Sequence, residues 1–263
     1  MKKFAIFGNP VKHSKSPIMH NSAFRTVGFD GEYFKIELKD GSKLKDEFFA
    51  NGLIGANITL PHKEAAYEAS DYLDDFAKKV GAVNTLVLKD GKLYGYNTDA
   101  PGFLKSIKKF DNIKRVLLLG AGGTAKATAP ILKEAGYDVS ILNRSANRLE
   151  QFNSLGFKTY TFDTINNYNF DLIVNMTSAG LNDSNLPAPK ELLDKIFPNA
   201  KAAIDIIYGK ETPFLKLAKE FNLPSADGSE MLIQQGVLAF DYFTNHKYDL
   251  NIVEEAMREA LGQ

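Results

Sequence analysis

The run Leu118-Leu119-Gly120-Ala121-Gly122-Gly123-Thr124-Ala125 sets two glycines one residue apart and a small residue three positions further on. In a turn from strand to helix, the first glycine permits the tight turn and the second lets backbone approach a pyrophosphate. The small residue allows close helix–strand packing, and the amides that open the helix face the anion. Glycines alone would spell no more than a flexible turn; the apolar stretch before them and the helical pattern after them supply the needed context. About twenty residues on, an NAD site places Asp or Glu against the ribose 2′-hydroxyl. This chain instead has Asn143-Arg144-Ser145, with Arg148 one helical turn later. A guanidinium offers a planar fork of donors suited to a 2′-phosphate. Arginine at a helix start opposes the helix dipole, which weighs against two merely solvated charges. The expected cofactor is NADP rather than NAD.

Other polar runs lie earlier in the chain. His13-Ser14-Lys15-Ser16-Pro17 follows the first apolar stretch, and Asn57-Ile58-Thr59-Leu60-Pro61-His62-Lys63 spans a strand end and a helix start. Gly81-Ala82-Val83-Asn84-Thr85 opens a hairpin, and Asn97-Thr98-Asp99 closes it. Taken singly, each has an ordinary account, with hydroxyls and amides capping turns and lysine exposed on a helix. The four histidines, His13, His20, His62 and His246, show no metal-ligand spacing, and no metal is expected.

The elements that must position these residues alternate along the chain. Phe4–Phe7, Tyr33–Leu38 and Gly55–Thr59 read as strands, with helices near Met19–Val27 and His62–Ser70. Thr85–Leu88 and Leu93–Tyr96 flank Asp90-Gly91, a strong hairpin signal. Pro101–Phe110 reads as a helix with proline in its first turn. Arg115–Leu119, Val139–Leu142, Lys158–Phe162, Leu172–Met176 and Ala202–Ile207 are short apolar strands, with helices at Ala125–Ala135 and Ala146–Ser154. That alternation predicts βαβ units on a parallel sheet buried on both faces. Met231–Thr244 and Ile252–Leu261 close the chain as helices. The expected class is α/β with two domains. An N-terminal α/β domain covers 1–100, a Rossmann-type doubly wound dinucleotide domain covers 101–235, and the C-terminal helices of 236–263 pack back on the first.

Composition narrows the function. Lys+Arg and Asp+Glu are both 32, so no global charge draws the chain to nucleic acid or anionic membrane. With no cysteine, disulfides, thiolate metal sites and cysteine nucleophiles are excluded. The apolar stretch after the two N-terminal lysines is too short for a signal peptide, and no run approaches a membrane span. A cytoplasmic address is expected.

In order and spacing, the S-x-S-P, N-x-T-x-P-x-K, G-A-V-N-T, N-T-D and G-A-G-G-x-A-K-A elements resemble the shikimate dehydrogenase family over essentially the whole chain. Asn143-Arg144-Ser145, Asn175-Met176-Thr177 and Met231-Leu232-Ile233-Gln234-Gln235 continue the order. The resemblance implies reversible NADP-dependent reduction of 3-dehydroshikimate to shikimate, a step of aromatic amino acid biosynthesis, in a cleft between a substrate domain and an NADP domain. It implies that Ser14 and Ser16 bind the substrate carboxylate and that Thr59, Lys63, Asn84, Asp99 and Gln235 surround its hydroxyls. Tyr208 is a further substrate-side match. On the cofactor side it implies Gly120, Ala121, Gly122, Gly123, Thr124, Asn143, Arg144, Ser145, Arg148, Ile206 and Gly228, with Asp75 a weaker match. Lys63 occupies the family's acid/base position, beside Asp99. An ammonium there can donate the proton and stabilise the oxyanion that hydride addition creates. His62 is the competing base, but adjacent residues on a helix point different ways.

The chain departs from the family pattern at Ala100-Pro101 before Gly102, at Gly209-Lys210 before Thr212-Pro213, and over Leu181–Leu186. Two alternatives stay open: a broader quinate/shikimate dehydrogenase, and a non-catalytic NADP- or ligand-sensing protein on the same fold. The oligomeric state is not legible, and a homodimer is compatible with everything above.

Overall fold

The apolar stretch Phe4–Phe7 lies inside strand β1 (Lys2–Gly8), completely buried apart from a trace of Ile6. The computed structural model describes all 263 residues and divides into two units: Met1–Gly102 with Ile233–Gln263, and Phe103–Leu232.

In the first unit, β1 is followed by α1 (Ser16–Thr26), β2 (Gly31–Glu37), α2 (Leu44–Ala50), β3 (Leu53–Ile58) and α3 (Lys63–Ala69). Then come β4 (Tyr72–Leu73), α4 (Asp75–Val80), β5 (Thr85–Lys89), β6 (Lys92–Tyr96) and the start of α5 (Asp99–Ser106). The sheet order is β2-β1-β3-β5-β6-β4. β1 is parallel to both neighbours, whereas β5 runs antiparallel to β3 and β6. Asp90 (φ 50°) and Gly91 (φ 72°) both adopt left-handed backbone, the requirement of a tight two-residue hairpin turn.

The second unit holds β7 (Arg115–Leu119), α6 (Gly123–Glu134), β8 (Asp138–Leu142), α7 (Glu150–Ser154), β9 (Lys158–Tyr160) and β10 (Leu172–Asn175). It continues with α8 (Lys190–Ile196), β11 (Ala202–Asp205), α9 (Pro213–Glu220) and β12 (Ser225–Ala226). Its sheet runs β12-β11-β10-β7-β8-β9, parallel throughout. Alternate residues of β7 serve two cores: Val116 and Leu118 pack on one face, Leu117 and Leu119 on the other. That explains the unbroken apolar run. Strand order reverses between β7 and β10, and in such sheets ligands bind outside the carboxyl ends of the strands at that point.

The structure refines several boundaries. α1 opens at Ser16, three residues before the helix expected from Met19, because Pro17 suits its first turn. The helix expected over 146–154 is a 3₁₀ turn (Ala146–Leu149) followed directly by the short α7.

α10 (Ser229–Phe243), from Ile233 on, and α11 (Leu250–Ala260) belong to the first unit. Phe4 lies 5.0 Å, centroid to centroid, from both Phe24 of α1 and Phe243 of α10. Gly236 lets α10 approach Met19, whose terminal methyl would lie 2.7 Å from a Cβ there. No helix is long and apolar enough to cross a membrane.

His20 is fully buried in this aromatic cluster, stacked 4.4 Å above the Tyr33 ring and flanked by Phe240 and Phe243. Burial outweighs the nearby Asn57 side chain and pushes the His20 pKa down to about 3. The unfolded chain therefore takes up a proton below about pH 6.5 that the native state refuses. This contribution to stability is complete above pH 6.5 and falls away as the pH drops toward 3. At pH 5 the loss is about 2 kcal/mol. His20→Phe removes the linkage, so denaturant melts at pH 7.5 and pH 5 should show the wild type losing about that much more stability than the variant. Equal losses would show that His20 is not buried neutral.

Candidate active site

Two helix starts bring together an ammonium and a carboxylate. Lys63 is the first residue of α3 and Asp99 the first of α5. Lys63 Nζ donates to Asp99 Oδ2 at 2.6 Å, with the side chains 23% and 14% exposed. Both are thus largely shielded yet open at one side, as proton transfer to a small molecule requires. Each backbone is fixed separately: Val83 N donates to the Lys63 carbonyl, and Asp99 N donates to Asn97 Oδ1 at 3.2 Å. The buried Asn97 also donates to the Ala82 carbonyl.

Beside the pair is a buried network of neutral polar groups. Asn84 Oδ1 accepts from Thr98 N at 2.7 Å, and Asn84 Nδ2 donates to Thr98 Oγ1 at 3.0 Å. Thr85 Oγ1 donates to Asn84 Oδ1 and accepts from Asn57 Nδ2 at 3.0 Å; Asn57 Oδ1 accepts from the Tyr33 hydroxyl at 2.7 Å. These bonds run across β2, β3 and β5 and the end of β6. Buried amides survive only when paired, and here the pairing also fixes their orientation.

Ser14 and Ser16 are both buried, their hydroxyls 3.2 Å apart at the N-terminus of α1. The helix N-cap is Lys15, which makes no side-chain capping bond. The ordinary capping account therefore does not use these serines as caps, although Ser16 N does donate to Ser14 Oγ at 3.3 Å. Two hydroxyls at the positive end of a helix suit a carboxylate. Thr59 follows β3, and Gly8 leaves it room: a Cβ at Gly8 would meet Thr59 Cγ2 at 2.4 Å. Gln235, on α10, is buried, and a Cβ at Gly102 would lie 2.7 Å from its backbone nitrogen. The departure Ala100-Pro101 is thus harmless to this contact, which depends on Gly102, and Pro101 sits in the first turn of α5.

His62 is removed from contention as the base. It is buried, and its Nε2 bonds the Leu38 carbonyl. Its ring also faces Gly41, whose Cβ position lies 2.9 Å from His62 Nδ1.

In the second unit the glycine turn has the conformation a dinucleotide loop requires. Gly120 has φ 106°, a region open to glycine, and a Cβ there would strike Thr177 Cγ2 at 2.6 Å. Gly122 and Gly123 face open space, and α6 begins at Gly123. Beside them lies a groove of about 860 Å³ lined by Gly120, Asn143, Arg144, Ser145, Arg148 and Thr177, among others. Arg144 and Arg148 are exposed. Because Arg148 lies in a four-residue 3₁₀ turn, the dipole argument for it carries little; it does stand in the lining of the groove. Gly228 leaves no space for a side chain, since a Cβ would lie 2.1 Å from the Ile206 carbonyl oxygen.

Comparison with known proteins bears on this geometry. Residues 6–86 match the shikimate dehydrogenase substrate binding domain, 105–183 the shikimate / quinate 5-dehydrogenase family, and 228–261 the shikimate 5'-dehydrogenase C-terminal domain. Shikimate dehydrogenase (NADP(+)) of Helicobacter pylori strain P12 is 47% identical over 264 residues, covering 99% of each chain. The enzyme of that name from Helicobacter hepaticus is 46% identical over 253 residues, 95% of this chain and 94% of that one. The chain belongs to the shikimate dehydrogenase family. The crystal structure of the family's Thermus thermophilus member, in complex with NADP(H) and shikimate, superposes with a TM-score of 0.85. It is 38% identical and covers 99% of this chain and 100% of that one.

Of the substrate-side residues carried over from the family, all but Tyr208 lie in the first unit. Tyr208 lies in the second, just beyond β11, where partial burial raises its pKa. Of the cofactor-side residues, all but Asp75 lie in the second unit. Asp75 opens α4, is exposed and pairs with Lys78 at 3.2 Å. Sequence reasoning misses Asn57, Asn97 and Thr98 as site builders, though each stands in a polar run singled out above. It also misses Thr177 as a groove residue.

Charge-assisted hydrogen bonds to phosphate contribute roughly 1.5–3 kcal/mol. Arg144→Ala should therefore weaken NADPH binding roughly tenfold or more in a fluorescence titration, while NADH binding changes little. Equal weakening of both would remove Arg144 from 2′-phosphate recognition.

Proposed function

We propose that this chain acts as an NADP-dependent shikimate dehydrogenase, interconverting 3-dehydroshikimate and shikimate with Lys63 and Asp99 as its working pair. The observation that carries this is the 2.6 Å contact between a shielded ammonium and a shielded carboxylate at two helix starts. Residues 1–100 with 236–263 serve as the substrate domain and 101–235 as the NADP domain. The two units support that division.

The residues of the second unit fit the cofactor. The backbone around Gly120, Ala121, Gly122, Gly123 and Thr124 would cradle the pyrophosphate, since nothing lies within 4 Å of the side-chain positions of Gly122 and Gly123. Asn143, Arg144, Ser145 and Arg148 would hold the 2′-phosphate end, and Ile206 and Gly228 the remainder. When bound, NADPH supplies the hydride.

On the substrate side, Ser14 and Ser16 hold the carboxylate, and Thr59, Asn84, Tyr208 and Gln235 take ring hydroxyls. Lys63 Nζ donates a proton to the ring oxygen as negative charge grows there, and its charge stabilises that oxygen before transfer is complete. In the reverse direction the neutral amine accepts the proton. Asp99 keeps Nζ on its trajectory and accepts a hydrogen bond from a neighbouring hydroxyl. Both reactants are soluble metabolites, which suits a cytoplasmic enzyme. The direct test is the rate of NADP+ reduction on addition of shikimate; no turnover with any cyclic hydroxy acid would favour the ligand-sensing alternative.

Ser16→Ala should raise KM for shikimate while leaving the melting temperature nearly unchanged. Loss of stability with normal kinetics per folded molecule would return Ser16 to a structural role, since a lost cap costs about 0.5–2 kcal/mol.

Lys63→Met keeps the stem and removes charge and proton, so kcat should fall roughly 10²–10⁴-fold, with a smaller effect on KM. Asp99→Asn should also lower kcat. Because the two groups touch, the double variant should lose much less than the product of the single losses. Fully multiplicative losses at saturating NADP+ would dissolve the pair as a unit, and a Lys63→Met enzyme with near-normal kcat would remove Lys63 from the chemistry.

A further inference from the structure

At the carboxyl ends of β10 and β11 a buried carboxylate gathers three donors. Asp205 and Asn175 are both fully buried. Asp205 Oδ2 accepts from Asn175 Nδ2 at 3.0 Å and from Thr212 Oγ1 at 2.6 Å, and Oδ1 accepts from Ile207 N at 3.0 Å. No lysine or arginine pairs with it. Burial raises its pKa, against the pull of these hydrogen bonds.

The bonds continue outward. Asn175 Oδ1 accepts from Thr177 N at 2.9 Å and from Thr177 Oγ1 at 2.7 Å. Thr177 Oγ1 in turn accepts from Ala179 N at 3.1 Å. Thr177 and Ala179 line the groove, and Thr177 Cγ2 is the atom that abuts Gly120 in the glycine turn. On the other branch, Ile207 follows Ile206, whose carbonyl presses on Gly228, and Thr212 caps α9. Gly180 packs against Thr212 and Pro213, and Lys210 donates to the Leu181 carbonyl at 2.8 Å. The two loops that depart from the family pattern are thus tied to each other and flank this carboxylate.

We propose that Asp205 is a positioning residue for NADP, setting the amide orientation of Asn175 and through it the Thr177 wall of the groove. The argument is one of donor and acceptor count. With Asn175 Oδ1 committed to two Thr177 donors, Asn175 Nδ2 must face an acceptor. Thr212 Oγ1 already accepts from Leu215 N, so its proton needs an acceptor as well. The Ile207 amide is the third donor. Only a group that accepts without donating satisfies all three, and an ionised carboxylate is the side chain that does so. Asparagine at 205 cannot serve all three donors. With its Oδ1 toward Asn175 and Thr212 its NH₂ faces the Ile207 amide, and in the other flip the NH₂ faces Asn175 and Thr212, releasing Asn175 to turn donors toward Thr177. This inference rests on reading the groove as the NADP site.

The test is NADPH titration by fluorescence on the cofactor-free full chain, with melting curves and shikimate KM for each variant. Asp205→Asn should weaken NADPH binding roughly tenfold, the consequence of losing hydrogen bonds to a charged group. KM for shikimate at saturating NADP+ should change little. Thr177→Val keeps the methyl against Gly120 but removes the hydroxyl; it should weaken NADPH binding even if Asp205→Asn fails to fold. Unchanged NADPH affinity in folded Asp205→Asn, or in Thr177→Val, would overturn the proposal. If Arg144→Ala weakens binding while Asp205→Asn does not, the positioning role alone fails. A wild type that does not bind NADPH overturns both.

Discussion

The ion pair of Lys63 and Asp99 is the contact that the rest of the first unit is arranged to hold. Two charges withdrawn from water carry a desolvation cost that their attraction offsets only in good geometry. That geometry comes from neither side chain. It comes from Val83 gripping the Lys63 carbonyl, Asn97 gripping the Asp99 amide, and Asn84 clamping Thr98 next door. Each of those anchors is buried or main-chain. The ammonium and the carboxylate stand on helix starts, so their separation is set before any ligand arrives.

The second unit obeys a different constraint, the approach distance of backbone. Gly120 and Gly228 are glycine because Thr177 Cγ2 and the Ile206 carbonyl occupy the space a Cβ would need. Gly122 and Gly123 have no such neighbours. Their lack of side chains leaves room for a ligand and serves no packing purpose. One short motif therefore contains glycines of two kinds, and only the structure separates them.

Much of this is legible in the sequence because it rests on local rules. The glycine turn, the Asp90-Gly91 hairpin and the apolar runs of the parallel sheet each declare themselves within a few residues. α2, α4, α8 and α9 do not; none exceeds eight residues, too short for a clear helical period. The 3₁₀ turn at Ala146–Leu149 passes for plain helix for the same reason. At the site, the positions of Lys63, Asp99 and the serines follow from family resemblance, not from pattern alone. What no pattern shows is a contact between residues distant in sequence. Asn57 meets Thr85 and Tyr33 across three strands, and Asp205 meets Asn175 thirty residues away in the chain. A lone Asp at the end of a strand gives no sign of the donors that will converge on it.

The two proposed sites also present charge in opposite ways. The substrate side offers few charges and many neutral hydrogen-bonding groups whose directions are locked in a buried network. Such a network holds its members in fixed directions, so a ligand must match them and cannot reorient them. Arg144 and Arg148 are exposed and free of ion pairs in their groove, so they lose little by pairing with a phosphate and gain less than buried cations would. In the proposed reading their contribution is discrimination between two dinucleotides that differ by one phosphate, for which a modest charge-assisted bond suffices. In that reading shape and hydrogen-bond direction select the ring acid, where near neighbours differ by a hydroxyl, and charge selects the cofactor, where the near neighbour differs by a whole phosphate.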